Sequence, residues 1–137
     1  MTMFKHAYRR AAWSAIGALA GAAVLGALPA RAGGDGAVAG KALFLKRACS
    51  ACHSLEAGRN LNGPTLSGVI GREAGSLEGY RYSPALAADK RRWDKARLDA
   101  WLADPRAVVP GTKMAIKVAS PEERRLIIAY LAATGSK

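Results

Sequence analysis

The sequence predicts an all-α domain in which short helices alternate with two long loops. Apolar residues recur at three- and four-residue spacing in three separate stretches, and strong capping residues open two of them. No two runs alternate in the way a strand pair would. The chain has 137 residues, half of them apolar and only 7% aromatic. One compact domain is therefore expected, and wholesale disorder is excluded. Two cysteines and two histidines are too few for a disulfide scaffold.

The first 32 residues read as a leader. Lys5, Arg9 and Arg10 form a basic head without an acidic residue, Ala11 to Leu28 is uncharged, and Pro29-Ala30-Arg31-Ala32 ends small-x-small. These are the parts of a secretory signal peptide, with cleavage expected after Ala32. A retained membrane anchor is the alternative, because 18 uncharged residues approach spanning length. Eight of them are Ala and three Gly, which contribute little transfer energy beside Leu or Ile. Residues 33–137 form the expected exported domain, with 17 basic and 10 acidic residues, a formal +7. It holds one histidine, His53, and one methionine, Met114.

Gly33-Gly34-Asp35-Gly36 is expected to be a poorly ordered lead-in. The first helix is predicted from Val38 to Ala48, with Leu43 and Phe44 inward and Lys41, Lys46 and Arg47 outward. Residues 58–79 are dense in glycine and contain Pro64, which predicts the first long loop. The second helix is expected from Asp94, a good cap, to Ala103, with Leu98, Trp101 and Leu102 on one face. Pro105 displaces Asp104 from helical geometry and ends it. Residues 106–119, with Pro110-Gly111, predict the second loop. Ser120-Pro121-Glu122-Glu123 then opens the last helix with a capping hydroxyl, a proline at the first position and acids near the positive end of the dipole. Leu126, Ile127, Tyr130 and Leu131 are its expected buried stripe, and Gly135 its stop.

Cys49-Ser50-Ala51-Cys52-His53 carries the chemistry. Two thiols three positions apart on one helical turn reach the two vinyl groups of a haem and form thioethers, and the adjacent imidazole falls beneath the iron. Two other uses of the motif make different demands. A redox disulfide expects a strand and a βαβ context around it. A zinc site needs a fourth ligand that no remaining Cys or His supplies. The iron's other face has Met114, a lysine or nothing to choose from. Met114 stands in Pro110-Gly111-Thr112-Lys113-Met114, where the turn residues allow one side chain to project inward. Its soft thioether would favour ferrous iron.

In order along the chain, further residues strengthen this reading: Gly40, Phe44, the Cys49 to His53 motif, Gly63-Pro64-Thr65-Leu66, Gly68, Gly71-Arg72, Tyr80-Arg81-Tyr82-Ser83, Trp93, Trp101 to Pro105, Pro110 to Met114 and Leu126 to Leu131. Together they resemble the class I cytochromes c, over nearly all of residues 36–137. The resemblance implies helices and long loops wrapped around one covalent haem c. It implies that Pro64 offers its carbonyl to His53, that Arg72, Tyr82, Trp93 and Thr112 bond or neutralise the propionates, and that His53 and Met114 ligate iron. Gly40 would let the first helix approach the last beside Phe44 and Tyr130.

Four departures stand out against the mitochondrial type. Five positions rather than four separate Phe44 from Cys49, so the chain needs either a local adjustment or another packing residue. Leu86 replaces an asparagine near the haem, Trp101 replaces a tyrosine that bonds the methionine sulfur, and Ile116 replaces an aromatic at the partner-facing edge.

The function implied is a periplasmic monohaem carrier, an electron carrier and not an enzyme, in a respiratory or photosynthetic chain. The expected donor is a quinol:cytochrome c reductase or a periplasmic dehydrogenase, and the acceptor a terminal oxidase or reaction centre. Lys46, Arg47, Lys113 and Lys117 are expected to form a cationic rim that steers the domain onto acidic docking sites. Nucleic acid is not an expected partner, and a monomer is expected. Two rivals remain from the sequence: a haem enzyme or gas-binding cytochrome with a labile sixth site, and a thiol–disulfide oxidoreductase.

Overall fold

A computed structural model describes residues 32–135. The leader, or anchor, expected up to Ala32 thus lies outside the described residues apart from its last position. Six helices follow one another: α1 Ala32–Lys46, α2 Cys49–Cys52, α3 Pro84–Ala88, α4 Lys95–Ala103, α5 Pro105–Val108 and α6 Pro121–Thr134. Among the described residues the only strand-like pairing is an isolated bridge between Glu73 and Arg92. None of the described helices is long and apolar enough to cross a membrane.

The end helices form the main interlock. A Cβ on Gly40 would lie 2.0 Å from the Leu126 carbonyl oxygen and 2.8 Å from Tyr130 Cβ, so only glycine permits this approach. Phe44, 3% exposed, meets Tyr130 edge-on with ring centroids 5.7 Å apart. The same packing corrects the expected lead-in. α1 begins at Ala32, because Gly36 faces Leu126 and Ala129, 3.9 Å from where its Cβ would be. Asp35 also sits favourably in the first turn. Contact with α6 thus outweighs the roughly 1 kcal/mol that each glycine costs a helix.

α1 stops at Lys46, short of the predicted Ala48. Ala48 takes φ 54 and ψ 25, the left-handed region that non-glycine residues rarely visit. This kink delivers the chain into α2 and absorbs the extra residue between Phe44 and Cys49, while Phe44 keeps its core position.

The remaining helices are set by local chemistry. Asp94 accepts from the Arg97 amide at 2.7 Å to start α4. Asp104 both ends α4 and caps α5, accepting from the amides of Arg106 and Ala107. One turn of helix therefore occupies the start of the predicted second loop. Ser83, which accepts from the Leu86 amide, opens the short α3. Ser120 caps α6 as expected. On α6 the fully buried residues are Arg124, Ile127, Ile128 and Leu131, whereas Leu126 and Tyr130 are half-buried against α1. Gly135 ends α6 in right-handed geometry. A Cβ there would come within 3.2 Å of Gly68 Cα, so close backbone approach accounts for this glycine.

Candidate functional site: a cavity between the two long loops

α2, the 58–82 segment, α4 and the 109–118 segment enclose a largely apolar cavity of about 430 Å³. Its wall includes every site residue expected from the sequence: Cys49, Cys52, His53, Pro64, Arg72, Tyr82, Trp93, Thr112 and Met114. Leu66, Val69 and Leu98 add apolar surface. Trp93 and Trp101 stack edge to face with centroids 5.0 Å apart.

The two thiols are free and half-buried. Burial pushes the Cys49 thiol up from its ordinary value. His53 follows directly in extended geometry at the end of α2, and its Nδ1 donates to the Pro64 carbonyl at 2.7 Å. That bond fixes the tautomer and leaves Nε2 with a free lone pair. Burial holds His53 below the usual imidazole range, against the raising effect of the Pro64 carbonyl and with a smaller push from Arg72. The ring is therefore a neutral donor near pH 7. Gly63 makes room for it, since a Cβ there would sit 2.4 Å from His53 Cε1.

Met114 presents its sulfur to the same cavity, and Trp101 Nε1 donates to Met114 Sδ at 3.1 Å. The indole thus takes the place of the family's phenol. Thr112, 7% exposed, accepts weakly from the Met114 amide at 3.4 Å. Arg72 donates to the carbonyls of Ser67 and Thr65, each at 2.8 Å, but meets no carboxylate among the described residues. Burial pushes its guanidinium down. A half-buried cation that lacks an anion needs one. Trp93 is tied to it through the backbone, its N–H donating to the Arg72 carbonyl at 2.9 Å. Arg97 stacks 4.2 Å above the Trp93 ring and is paired with the buried Asp89. Asp89 is held at about 2, chiefly by hydrogen bonds from Arg91.

These groups fit a haem. Two thiols, an imidazole and a thioether could serve as covalent and iron-ligating partners, the wall is apolar, and Arg72 meets no carboxylate among the described residues that would compete with a propionate. Among the described residues no three His, Cys, Asp or Glu side chains gather as a metal cage. Leu86 lines the cavity, and Ile116 stands at its edge, 49% exposed.

Among the described residues, two of the four cations of the expected rim pair with carboxylates, while Lys113 meets only a neutral carbonyl and keeps its charge. Arg47 is engaged by Glu123 of α6, Lys117 pairs with Asp104 at 2.5 Å, and Lys113 donates to the Arg81 carbonyl at 2.9 Å. Of the four, Lys46 alone makes no such contact among the described residues. Proximity along the chain did not reveal partners 76 positions away. The sequence reading also missed Arg124, which an amphipathic pattern assigns to solvent. It is 9% exposed.

A helical chain that closes over an apolar cavity beside a Cys-x-x-Cys-His turn defines the class of small proteins with thioether-bound haem. The cytochrome c family model matches residues 37–135, and the chain belongs to that family. It is 46% identical over 84 residues to cytochrome c2 iso-2 of Magnetospirillum fulvum, covering 61% of this chain and 88% of that one. It is 39% identical over 117 residues to cytochrome c2 of Rhodomicrobium vannielii, covering 84% and 91%. Among solved structures, cytochrome cH from Methylobacterium extorquens superposes with a TM-score of 0.65 at 45% identity, over 71% of this chain and 97% of that chain. The protein is accordingly an electron carrier with one covalently bound haem c, and not an enzyme.

Proposed function

We propose that the domain is an exported single-electron carrier whose iron is held between His53 and Met114. The observation that carries this reading is the Trp101–Met114 contact, which orients a thioether toward the cavity that His53 Nε2 also faces. The haem supplies the reversible one-electron couple. His53, oriented by Pro64, donates without competing for a proton. Met114 would supply the iron's second protein ligand, at the position that a peroxidase or gas-binding cytochrome needs open. Arg72 offsets propionate charge, assisted by Tyr82, Trp93 and Thr112, and the apolar wall excludes water.

Residues 1–32 are read as the leader that delivers the chain to the periplasm, or as an anchor facing it. Donor and acceptor remain those named above: a quinol:cytochrome c reductase or periplasmic dehydrogenase, and a terminal oxidase or reaction centre. Two of the four rim cations, Arg47 and Lys117, are paired with carboxylates, so docking combines the apolar Ile116 edge with steering by Lys46 and Lys113 toward acidic sites.

A reduced-minus-oxidised difference spectrum with carbon monoxide challenge tests this reading. The expected result is a c-type spectrum, a weak near-red charge-transfer band in the ferric protein, and no rapid ferrous carbon monoxide binding. Rapid binding with no near-red band would favour the open-site enzyme, and a haem-free mass the thiol oxidoreductase.

Trp101→Phe probes the tuning of the couple. An N–H donor withdraws density from sulfur and favours ferrous iron, so its removal lowers the potential. The expected fall is about 20–60 mV, the one-electron equivalent of a net hydrogen bond worth about 0.5–1.5 kcal/mol. Protein-film voltammetry measures it, and an unchanged potential would show the contact to be energetically silent.

A further inference from the structure

We propose that Arg124, which does not line the cavity, is a positioning residue that keeps Met114 within reach of the iron. This inference rests on the ligation reading above. The segment that carries Met114 buries little of itself: Pro110, Gly111, Lys113, Ala115, Ile116 and Lys117 are all exposed. A weak, soft ligand on such a segment stays bound only if its freedom is removed beforehand.

α4 and α6 remove that freedom through a few discrete bonds. Arg124 Nη1 donates to the carbonyls of Val118 at 3.0 Å and Ala119 at 2.8 Å, four and five residues past Met114. Its Nε donates to Asp99 Oδ1 at 2.7 Å and its Nη2 to Asp99 Oδ2 at 3.4 Å. Asp99 lies on α4, two residues before the indole that grips the methionine sulfur. Val118, 1% exposed, also donates its amide to the Leu102 carbonyl at 2.7 Å. One guanidinium therefore spans α6, α4 and the end of the ligand segment. Its planar fork satisfies three acceptor groups at once, which a lysine ammonium on a flexible stem does not reproduce. The arrangement adds the registry of the two helices to the segment's own contacts at Thr112, Lys113 and Lys117.

A purely structural role for Arg124 would destabilise helices and ligation together. A positioning role separates them. Wild-type, Arg124→Lys and Asp99→Asn holoproteins are titrated with urea in the ferric state, following the near-red band and far-UV circular dichroism, and ferrous carbon monoxide binding is timed without denaturant. In Arg124→Lys the band is expected to vanish at lower urea than the helical signal. Carbon monoxide should bind about tenfold faster, within the usual range of coupling between two sites. Asp99→Asn, which keeps the arginine but loses its charged anchor at a half-exposed position, should shift both readouts in the same direction by less. If Arg124→Lys does not fold, Asp99→Asn decides alone. Coincident loss of band and helix with unchanged carbon monoxide kinetics in the folded variants would overturn the positioning role. A wild-type protein without the band would instead overturn methionine ligation itself, and the positioning role with it.

Discussion

Met114→Ala should leave the haem attached while opening the iron. The thioethers from Cys49 and Cys52 do not involve residue 114, and His53 keeps its bond to Pro64, so the haem should stay covalently attached while its absorbance changes with the lost ligand. The ferric near-red band should disappear and ferrous carbon monoxide binding should become fast. Loss of a soft ligand that favours ferrous iron lowers the potential. A fall of at least about 60 mV is expected, a tenfold change in a one-electron equilibrium. Stability should fall too, because a half-buried side chain is truncated beside Trp101, at about 2–5 kcal/mol for a full Met→Ala cavity. Potentiometry and carbon monoxide kinetics check the result. An unchanged potential would remove Met114 from the coordination sphere.

Gly40→Ala should be strongly destabilising although it adds a single methyl group outside the cavity. Its Cβ would be placed 2.0 Å from the Leu126 carbonyl oxygen and 2.8 Å from both the Leu126 carbonyl carbon and Tyr130 Cβ. Two of these three contacts are backbone atoms, so the helices must separate and disturb the Phe44–Tyr130 pair. Overpacking of this kind costs about 3 kcal/mol or more. Because the haem-bearing turn lies beyond Ala48, the spectrum at low denaturant should be unchanged while the urea midpoint falls. A midpoint within error of the wild type would mean that α1 and α6 have room to adjust.

What could be read from the sequence was mostly local. Asp94 and Ser120 announced their helices because a cap acts within three residues, and Cys49 to His53 acted within five. The site residues were legible because their order along the chain matches the family's. The start of α1 was not, because Gly33, Gly34 and Gly36 read as breakers, and the packing of Gly36 against Leu126 and Ala129 of α6 is set only in three dimensions. α5 escaped because Asp104 serves two helices, and a residue that ends one rarely signals the next. Arg47 and Lys117 looked free because Glu123 and Asp104 meet them only in three dimensions. Arg124 was hidden for the opposite reason: charge on a helix predicts solvent, yet its partners are two backbone carbonyls and one carboxylate.

The left-handed residue at Ala48 has a consequence for how such a chain can vary. It divides the polypeptide into a clasp that closes the molecule and a cartridge that bears the prosthetic group. A change of one residue in length at that joint is expected to fall between two separately anchored parts, Phe44 against Tyr130 and His53 against Pro64. Lineages could therefore alter the spacer while conserving both halves, and a designer could exchange one half for another's without rebuilding the remainder.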